Sequence, residues 1–215
     1  MHYTSVLFDL DGTLLDTLGD LTAAMNRTLT RHGLPERTRQ QMRAALGNGA
    51  RRLMELSVPA GTDSALFETL LAEYNADYAA HCRIETAPYP GVDALLQQLH
   101  AQGRKLAIVS NKPDEAVRAL RAEFFADTVP IAVGEKQGIR RKPAPDTLLT
   151  AMAQLGADPA STVYVGDSEV DIATARAAGL PCISVLWGFR DRDLLEQAGA
   201  QQFAADTGEL ASLLD

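Results

Sequence analysis

The chain has 215 residues, of which 46% are hydrophobic and 22% charged, and its formal net charge is −8. This balance is typical of a globular protein with a substantial core. The acidic charge excludes a general nucleic-acid binder, which needs clustered Lys and Arg to hold phosphate backbones.

Cysteine usage and hydropathy indicate the compartment. The two cysteines, Cys82 and Cys182, match no metal-ligand spacing, and at this chain length they exclude a disulfide scaffold. No apolar run approaches the length of a membrane span, and the first residues lack a charged region followed by an apolar signal core. We expect a cytoplasmic protein, monomeric or homodimeric, that binds neither membranes nor nucleic acids.

Five short apolar runs rich in Val and Ile predict strands: residues 5–10, 105–110, 129–134, 162–167 and 182–187. They show little in-out alternation, which is typical of parallel strands covered on both faces. Amphipathic helical stretches separate the later runs, at residues 91–103, 113–124, 145–156 and 168–179. Strands that alternate with helices predict an α/β fold with an open, doubly wound parallel sheet.

The interval between the first two strands is helical throughout. One apolar stripe comprises Leu18, Leu21, Met25 and Leu29, and a second comprises Leu66, Leu70, Tyr74 and Tyr78, with Thr62 or Asp63 as its cap. Two shorter helical pieces lie between them. We therefore predict a helical cap domain over residues 16–84, inserted into a catalytic core of residues 1–15 and 85–215.

Polar residues follow the predicted strands where each one ends. Ligands of open α/β sheets bind beyond the carboxyl ends of the strands, so these residues are the candidate site. The set comprises Asp9, Asp11 and Thr13 after the first strand, Ser110, Asn111 and Lys112 after the second, Lys142 in a loop, and Asp167 and Asp171 after the fourth.

The chemistry of this set favours phosphoryl transfer. Four aspartates in one crevice repel each other unless a cation compensates, and Mg²⁺ prefers oxygen ligands and keeps room for substrate phosphate. One aspartate can attack phosphorus, and a second can protonate the leaving oxygen and then activate water. Hydroxyl groups and a lysine can hold the transferred phosphoryl oxygens.

The sequence resembles the haloacid dehalogenase superfamily, in its phosphatase branch with a helical cap. Four motifs carry the resemblance in chain order: "DLDGT" (residues 9–13), "SNK" (110–112), "KPAPD" (142–146) and "GDSEVD" (166–171). The resemblance implies a Rossmann-like core and a small phosphorylated metabolite as substrate.

The resemblance also implies roles for the motif residues. Asp9 would be the nucleophile and Asp11 the general acid and base. Thr13, Ser110 and Asn111 would bind phosphoryl oxygens, and Lys142, rather than its rival Lys112, would offset the charge. Mg²⁺ would be held by Asp9, Asp11 (through its backbone carbonyl) and Asp167, with Asp171 as a ligand or as a partner of the ligands.

Within the predicted cap, Gly47, Asn48 and Gly49 end one helix and begin another, leaving free backbone amides that suit a small anion. Arg51 or Arg52 could add positive charge. The alternative is a simple turn between helices, with solvated arginines. The G-x-G feature and the "LWGF" segment at residues 186–189 resemble the phosphoglycolate phosphatase group, which makes 2-phosphoglycolate the leading substrate.

Other interpretations stay open at this point. Taken singly, each motif could be a turn, a helix cap or a surface charge. A related phosphatase could act on a sugar phosphate, pyrophosphate or a nucleotide monophosphate, and a β-phosphoglucomutase-type enzyme would share the aspartyl-phosphate. A receiver-like switch is the non-enzymatic alternative, but its phosphorylated Asp follows the third strand and no helical insertion follows the first.

Overall fold

The computed structural model describes residues 3–215, which form two compact units. The core unit comprises the chain up to Leu15 together with Pro88–Asp215, and the inserted unit comprises Asp16–Ala87. These boundaries lie within three residues of the predicted domain limits. The role of the inserted unit as a cap stays a prediction.

Eight strands occur within residues 3–215: β1 (Ser5–Phe8), β2 (Leu15–Asp16), β3 (Ala87–Pro88), β4 (Lys105–Pro113), β5 (Ile131–Glu135), β6 (Thr162–Gly166), β7 (Cys182–Val185) and β8 (Gln202–Ala204). The helices of the inserted unit are α1 (Leu18–Arg31), α2 (Arg39–Ala45), α3 (Gly49–Ser57) and α4 (Ser64–His81). Those of the core unit are α5 (Val92–Ala101), α6 (Asp114–Phe124), α7 (Asp146–Leu155), α8 (Glu169–Ala178), α9 (Arg192–Gln197) and α10 (Thr207–Leu214), with a 3₁₀ turn at Pro159–Ser161.

The core unit contains a six-stranded sheet in the order β5-β4-β1-β6-β7-β8, and its strand pairings are parallel. The predicted α/β fold with a parallel sheet is confirmed. β8 was not predicted, because three residues with one buried and one partly buried side chain are too short to give a periodic signal. Helix α10 follows it and buries Leu210 and Leu214.

β1 lies at the centre of the sheet, where Phe8 pairs with Ile108 of β4 and with Val165 of β6. All four residues of β1 are buried, as expected for a strand covered on both faces. Because the three strands are parallel and in register, the residues that follow them emerge side by side at one edge. This arrangement brings three of the predicted motifs together.

The helices of the inserted unit form where the apolar stripes predicted them. Leu18, Leu21, Met25 and Leu29 are all buried on α1. Asp63, one of the two predicted caps, accepts hydrogen bonds from the backbone N–H groups of Ala65 and Leu66 and starts α4. No helix within residues 3–215 combines the length and the apolar character that a membrane crossing requires.

An ion-pair cluster joins α1 to α4 inside the inserted unit. The Asp77 carboxylate is buried and contacts Arg27 at 2.6 Å and Arg31 at 3.0 Å. Burial tends to raise the pKa of Asp77, but the hydrogen bond and charge of Arg27, with His81 and Arg31, outweigh it and lower that pKa overall. Asp77 therefore stays ionised and holds α4 against α1, the two long helices of the unit.

The Asp20 side chain joins the two ends of the inserted unit through hydrogen bonds. Its buried carboxylate accepts hydrogen bonds of 3.0–3.1 Å from the backbone N–H groups of Ile84, Glu85 and Thr86, and one of 2.8 Å from the Thr86 hydroxyl. One side chain thereby ties the first turn of α1 to the segment that leads back to the core unit.

We expect Asp20→Ala to lower the free energy of unfolding by about 3 kcal/mol, because it leaves several buried donors without their charged acceptor. Asp93→Ala, which removes an exposed acidic residue from the first turn of α5, is the matched control and should change stability by less than about 0.5 kcal/mol. Urea unfolding followed by circular dichroism measures both. Equal effects of the two substitutions would contradict the role assigned to Asp20.

Candidate active site

Asp9 is placed by the central strand of the sheet. Its backbone N–H donates to the carbonyl of Val165 at 2.8 Å, which extends the pairing of β1 with β6 by one residue. Its Oδ1 accepts hydrogen bonds from the Leu10 backbone N–H at 2.7 Å and contacts the Lys142 ammonium at 2.9 Å. These contacts fix the rotation of the carboxylate and make Oδ2 the candidate nucleophilic oxygen.

The Lys142 ammonium lies at the centre of the polar cluster. Besides Asp9, its Nζ contacts Asp171 Oδ1 at 2.7 Å and the Tyr164 hydroxyl at 3.0 Å. Burial alone would lower the pKa of Lys142, but the negative charges of Asp171 and Asp9 raise it above its usual value. Lys142 is therefore a permanent cation beneath the candidate nucleophile.

Asn111 supports Lys142 and its loop, whereas Ser110 contacts the backbone of Lys112. The Asn111 amide donates to the Lys142 carbonyl at 3.0 Å, and its Oδ1 accepts from the Lys142 backbone N–H at 2.8 Å. This reciprocal pair gives Asn111 a positioning role that the sequence did not predict. Ser110 Oγ accepts from the Lys112 backbone N–H at 3.2 Å. The phosphate contacts of Ser110 and Asn111 stay predictions.

Three of the predicted metal ligands come together. Asp9, Asp167 and Asp171 are buried, and each offers a carboxylate oxygen within 4.8 Å of the others. Burial and the charge of Asp171 raise the pKa of Asp167 to about 7. Burial and the charges of Asp171 and Asp167 likewise raise the pKa of Asp9, despite Lys142. This cluster of hard oxygen ligands with excess negative charge suits a divalent cation.

Asp171 differs from the other two carboxylates. Its Oδ1 contacts Lys142 and accepts from the Tyr164 hydroxyl at 2.9 Å, and its Oδ2 accepts from the Ser168 backbone N–H at 3.1 Å and hydroxyl at 2.6 Å. Each oxygen of Asp171 thus has two protein donors, whereas each oxygen of Asp167 accepts from one. Asp171 was predicted either to bind the metal or to be a partner of the metal ligands, and these contacts favour the second role.

The loop after β1 and the segment 187–189 enclose Asp167. Gly12 has φ +87°, and a Cβ there would collide with the Asp167 carboxylate, so glycine is required. The Phe189 backbone N–H donates to Asp167 Oδ2 at 2.7 Å. The Thr13 hydroxyl donates to Asp167 Oδ1 at 3.3 Å, while the Trp187 indole donates to the Thr13 carbonyl at 3.0 Å. Asp167 therefore organises the predicted phosphate-binding loop.

Asp11 points to a different partner from Asp9. Its Oδ1 accepts from Lys112 Nζ at 2.8 Å, and the Lys112 side chain is 5% exposed whereas that of Asp11 is 20% exposed. The Asp11 side chain is not part of the carboxylate cluster, and a metal contact of its backbone carbonyl stays a prediction. Asp11 keeps a partly open carboxylate, which a general acid and base requires.

The predicted anion-binding residues of the inserted unit form a helix start. Gly49 begins α3, Asn48 is its N-cap residue without a side-chain capping bond, and Gly47 and Gly49 have φ of +109° and +78°. Arg51 forms a bidentate pair with Glu68 at 2.8 Å and lies over the Phe67 ring. Glu68 therefore competes with any substrate for Arg51, and the substrate-binding role of these residues stays a prediction.

Sequence reasoning missed three contributors to the site: Tyr164, Ser168 and the Phe189 backbone. Tyr164 carried a usable signal, since a hydroxyl inside a buried run such as "TVYVG" needs a partner. Phe189 belongs to the "LWGF" segment, but its contact with Asp167 was not predictable, because only a backbone N–H makes it and its position depends on how the chain turns after β7.

The sequence comparisons agree with this geometry. Residues 6–185 match the haloacid dehalogenase-like hydrolase family. A phosphoglycolate phosphatase of Xanthomonas campestris pv. campestris is 37% identical over 187 residues, which cover 86% of this chain and 84% of that protein. An N-acetylmuramic acid 6-phosphate phosphatase of Pseudomonas aeruginosa is 33% identical over 217 residues, which cover 100% and 96%.

The fold comparison gives the same result. A crystal structure from Lactobacillus delbrueckii subsp. bulgaricus, described as a candidate phosphoglycolate phosphatase, superimposes with a TM-score of 0.94 at 36% identity and covers 100% of this chain and 99% of its own. The prediction of a phosphoric monoester hydrolase is confirmed by these relatives. The chain belongs to the haloacid dehalogenase-like hydrolase family.

Proposed function

We propose that this protein is a Mg²⁺-dependent phosphatase that hydrolyses 2-phosphoglycolate through an aspartyl-phosphate on Asp9. One observation carries the proposal. Lys142 contacts one oxygen of Asp9 and orients it, and Asp167 lies beside it. Asp11, two residues later in the chain, pairs with a different lysine, Lys112. A nucleophile, a fixed cation and an independent acid-base group are thereby combined at one sheet edge.

The residues perform the reaction in two steps. Asp9 Oδ2 bonds to phosphorus as the ester P–O bond breaks, and Asp11 gives its proton to the departing alkoxide oxygen. Water then attacks the same phosphorus, Asp11 takes the proton of that water, and the bond from phosphorus to Asp9 breaks to release phosphate. Lys142 and the Thr13 hydroxyl offset charge on the phosphoryl oxygens.

Asp9, Asp167 and the backbone carbonyl of Asp11 would hold the cation, with Asp171 keeping Lys142 in place. When bound, Mg²⁺ supplies positive charge for the phosphoryl group and for the ionised carboxylates. The excess negative charge of the cluster supports this assignment, because a cation favours the ionised forms that burial opposes.

The substrate is inferred from the relatives. The phosphoglycolate phosphatase of Xanthomonas campestris supports 2-phosphoglycolate. The second candidate is N-acetylmuramic acid 6-phosphate, which the Pseudomonas aeruginosa relative supports because it aligns with the whole chain. Both compounds carry a carboxylate besides the phosphate.

We expect Asp9→Asn to lower kcat by about 10⁴-fold or more while leaving the fold intact, since the amide cannot form the covalent intermediate. Asp11→Asn should slow hydrolysis of the aspartyl-phosphate more than its formation, so that acid-quenched, ³²P-labelled protein accumulates. Circular dichroism verifies that both variants fold. Near-normal turnover by Asp9→Asn would contradict the covalent mechanism.

The pH dependence of stability tests the metal site without an activity measurement. The raised pKa values of Asp9 and Asp167 mean that the metal-free native state binds more protons than the unfolded chain above about pH 4, where a free Asp is ionised. These two groups therefore lower stability as pH rises towards 8. Mg²⁺ binds the ionised forms and should cancel this loss.

Adding Mg²⁺ to protein treated with EDTA should raise its Tm. We expect this rise to be about 5 °C larger at pH 8 than at pH 5. Asp167→Asn should abolish most of the rise at both pH values, whereas Asp93→Asn, at an exposed position of α5, should leave it unchanged. Differential scanning fluorimetry measures the shift. A Mg²⁺-induced shift of equal size at both pH values would contradict the proposed ligands.

The substrate assignment requires that 2-phosphoglycolate is hydrolysed with a kcat/KM at least about 10-fold above that for propyl phosphate, a neutral-tailed monoester of similar size. Phosphate release from a panel that includes N-acetylmuramic acid 6-phosphate, sugar phosphates, pyrophosphate and nucleotide monophosphates measures it. If another compound of the panel has a higher kcat/KM, that compound replaces 2-phosphoglycolate as the assigned substrate. Conversion of glucose 1-phosphate to its isomer would indicate a mutase.

A further inference from the structure

Lys112 stands out among the charged residues of the core unit. It is the penultimate residue of β4, its side chain is 5% exposed, and its ammonium lies 2.8 Å from Asp11 Oδ1. Burying an ammonium is costly, and Asp9 and Asp171 already share Lys142 as their cation, so Lys112 is not needed to orient the proposed nucleophile. A second buried lysine at this edge therefore calls for a function of its own.

The position of Asp11 locates the Lys112 ammonium relative to the substrate. In the proposed mechanism, Asp11 must lie within about 3 Å of the ester oxygen to which it gives its proton. The Lys112 ammonium contacts that same carboxyl group. The lysine is therefore close to the atoms that follow the ester oxygen in the departing alcohol.

An ammonium has three N–H donors and can serve two acceptors at once. Lys112 can keep one donor on Asp11 and direct another to a negative group on the alcohol. In 2-phosphoglycolate the carboxylate carbon is separated from the ester oxygen by a single methylene group, so the carboxylate stays within reach of an ammonium beside that oxygen. A neutral alkyl tail offers no acceptor at this place.

The other predicted carboxylate ligand is less available. Arg51 is half exposed and both of its terminal nitrogens bond to Glu68 within the inserted unit. Binding a substrate carboxylate there would require breaking that pair. Lys112 is in the core unit, on the same strand as the predicted phosphate ligand Ser110, so its distance to the phosphoryl site is fixed by β4.

We infer that Lys112 is a specificity-determining residue that binds the carboxylate of the substrate next to the ester oxygen. This inference rests on the proposed function for the position of the ester oxygen and for the carboxylated substrate. It differs from the assignment of the substrate carboxylate to Gly47, Asn48 and Gly49, because it places recognition on the core unit.

The experiment compares Lys112→Gln with the wild-type protein on two substrates. Glutamine keeps an N–H donor for Asp11 and removes the positive charge, and Lys112→Met serves as a second variant without any donor. We expect kcat/KM for 2-phosphoglycolate to fall at least about 30-fold more than kcat/KM for propyl phosphate, mainly through KM. Lys105→Met, at the other end of β4, is the matched control and should leave the ratio unchanged.

Equal losses on both substrates in both Lys112 variants would overturn the inference and leave Lys112 as a partner of Asp11 only. A second readout does not need 2-phosphoglycolate to be a substrate. With propyl phosphate as the substrate, glycolate should inhibit the wild-type protein, and its inhibition constant should rise at least about 10-fold in Lys112→Gln.

The two readouts separate the inference from the proposed function. If 2-phosphoglycolate is not hydrolysed but glycolate inhibition depends on Lys112, the substrate assignment fails and the carboxylate site stands. If 2-phosphoglycolate is hydrolysed and neither readout depends on Lys112, the inference fails and the proposed function stands.

Discussion

The ion pair between Lys142 and two buried aspartates is the interaction on which the site depends. Asp9 and Asp171 follow different strands, and without the ammonium between them their charges would repel in a medium that screens poorly. Tyr164 and the Asn111 amide hold the lysine from two sides. The proposed nucleophile Asp9 is therefore oriented by a network that is in place before the reaction, so it needs no rearrangement at that moment.

This network also explains how two aspartates one residue apart acquire different chemistry. Asp9 is buried against Lys142, whereas Asp11 is partly exposed and paired with Lys112. The chain bends at Leu10, which is fully buried, so the side chains on either side of it no longer follow the alternation of the strand. A lysine of β4 and a lysine of the loop before α7 thus pair with the two carboxylates separately.

Most of the fold and the composition of the site were predictable, because both depend on local patterns. Continuous apolar runs gave the central strands, and the rule that ligands bind at the carboxyl ends gave the acidic residues there. The contacts that decide each role were not predictable. The pairing of Lys112 with Asp11, the two bonds of Asn111 to Lys142 and the Phe189 N–H to Asp167 all join residues far apart in sequence. Such contacts depend on strand order, which periodicity does not encode.

The same contacts limit where substrate selectivity can reside. Lys142, Asp171 and Tyr164 are committed to one another, and Asp167 is enclosed by Thr13 and the Phe189 backbone. Substituting any of these residues would slow phosphoryl transfer for every substrate alike. Contacts that all substrates share cannot discriminate between the alcohols that they release. Discrimination therefore needs groups that touch the alcohol but not the phosphoryl oxygens. In the core unit, we infer that Lys112 meets this condition, because its ammonium pairs with Asp11, the group that faces the departing alcohol in the proposed mechanism.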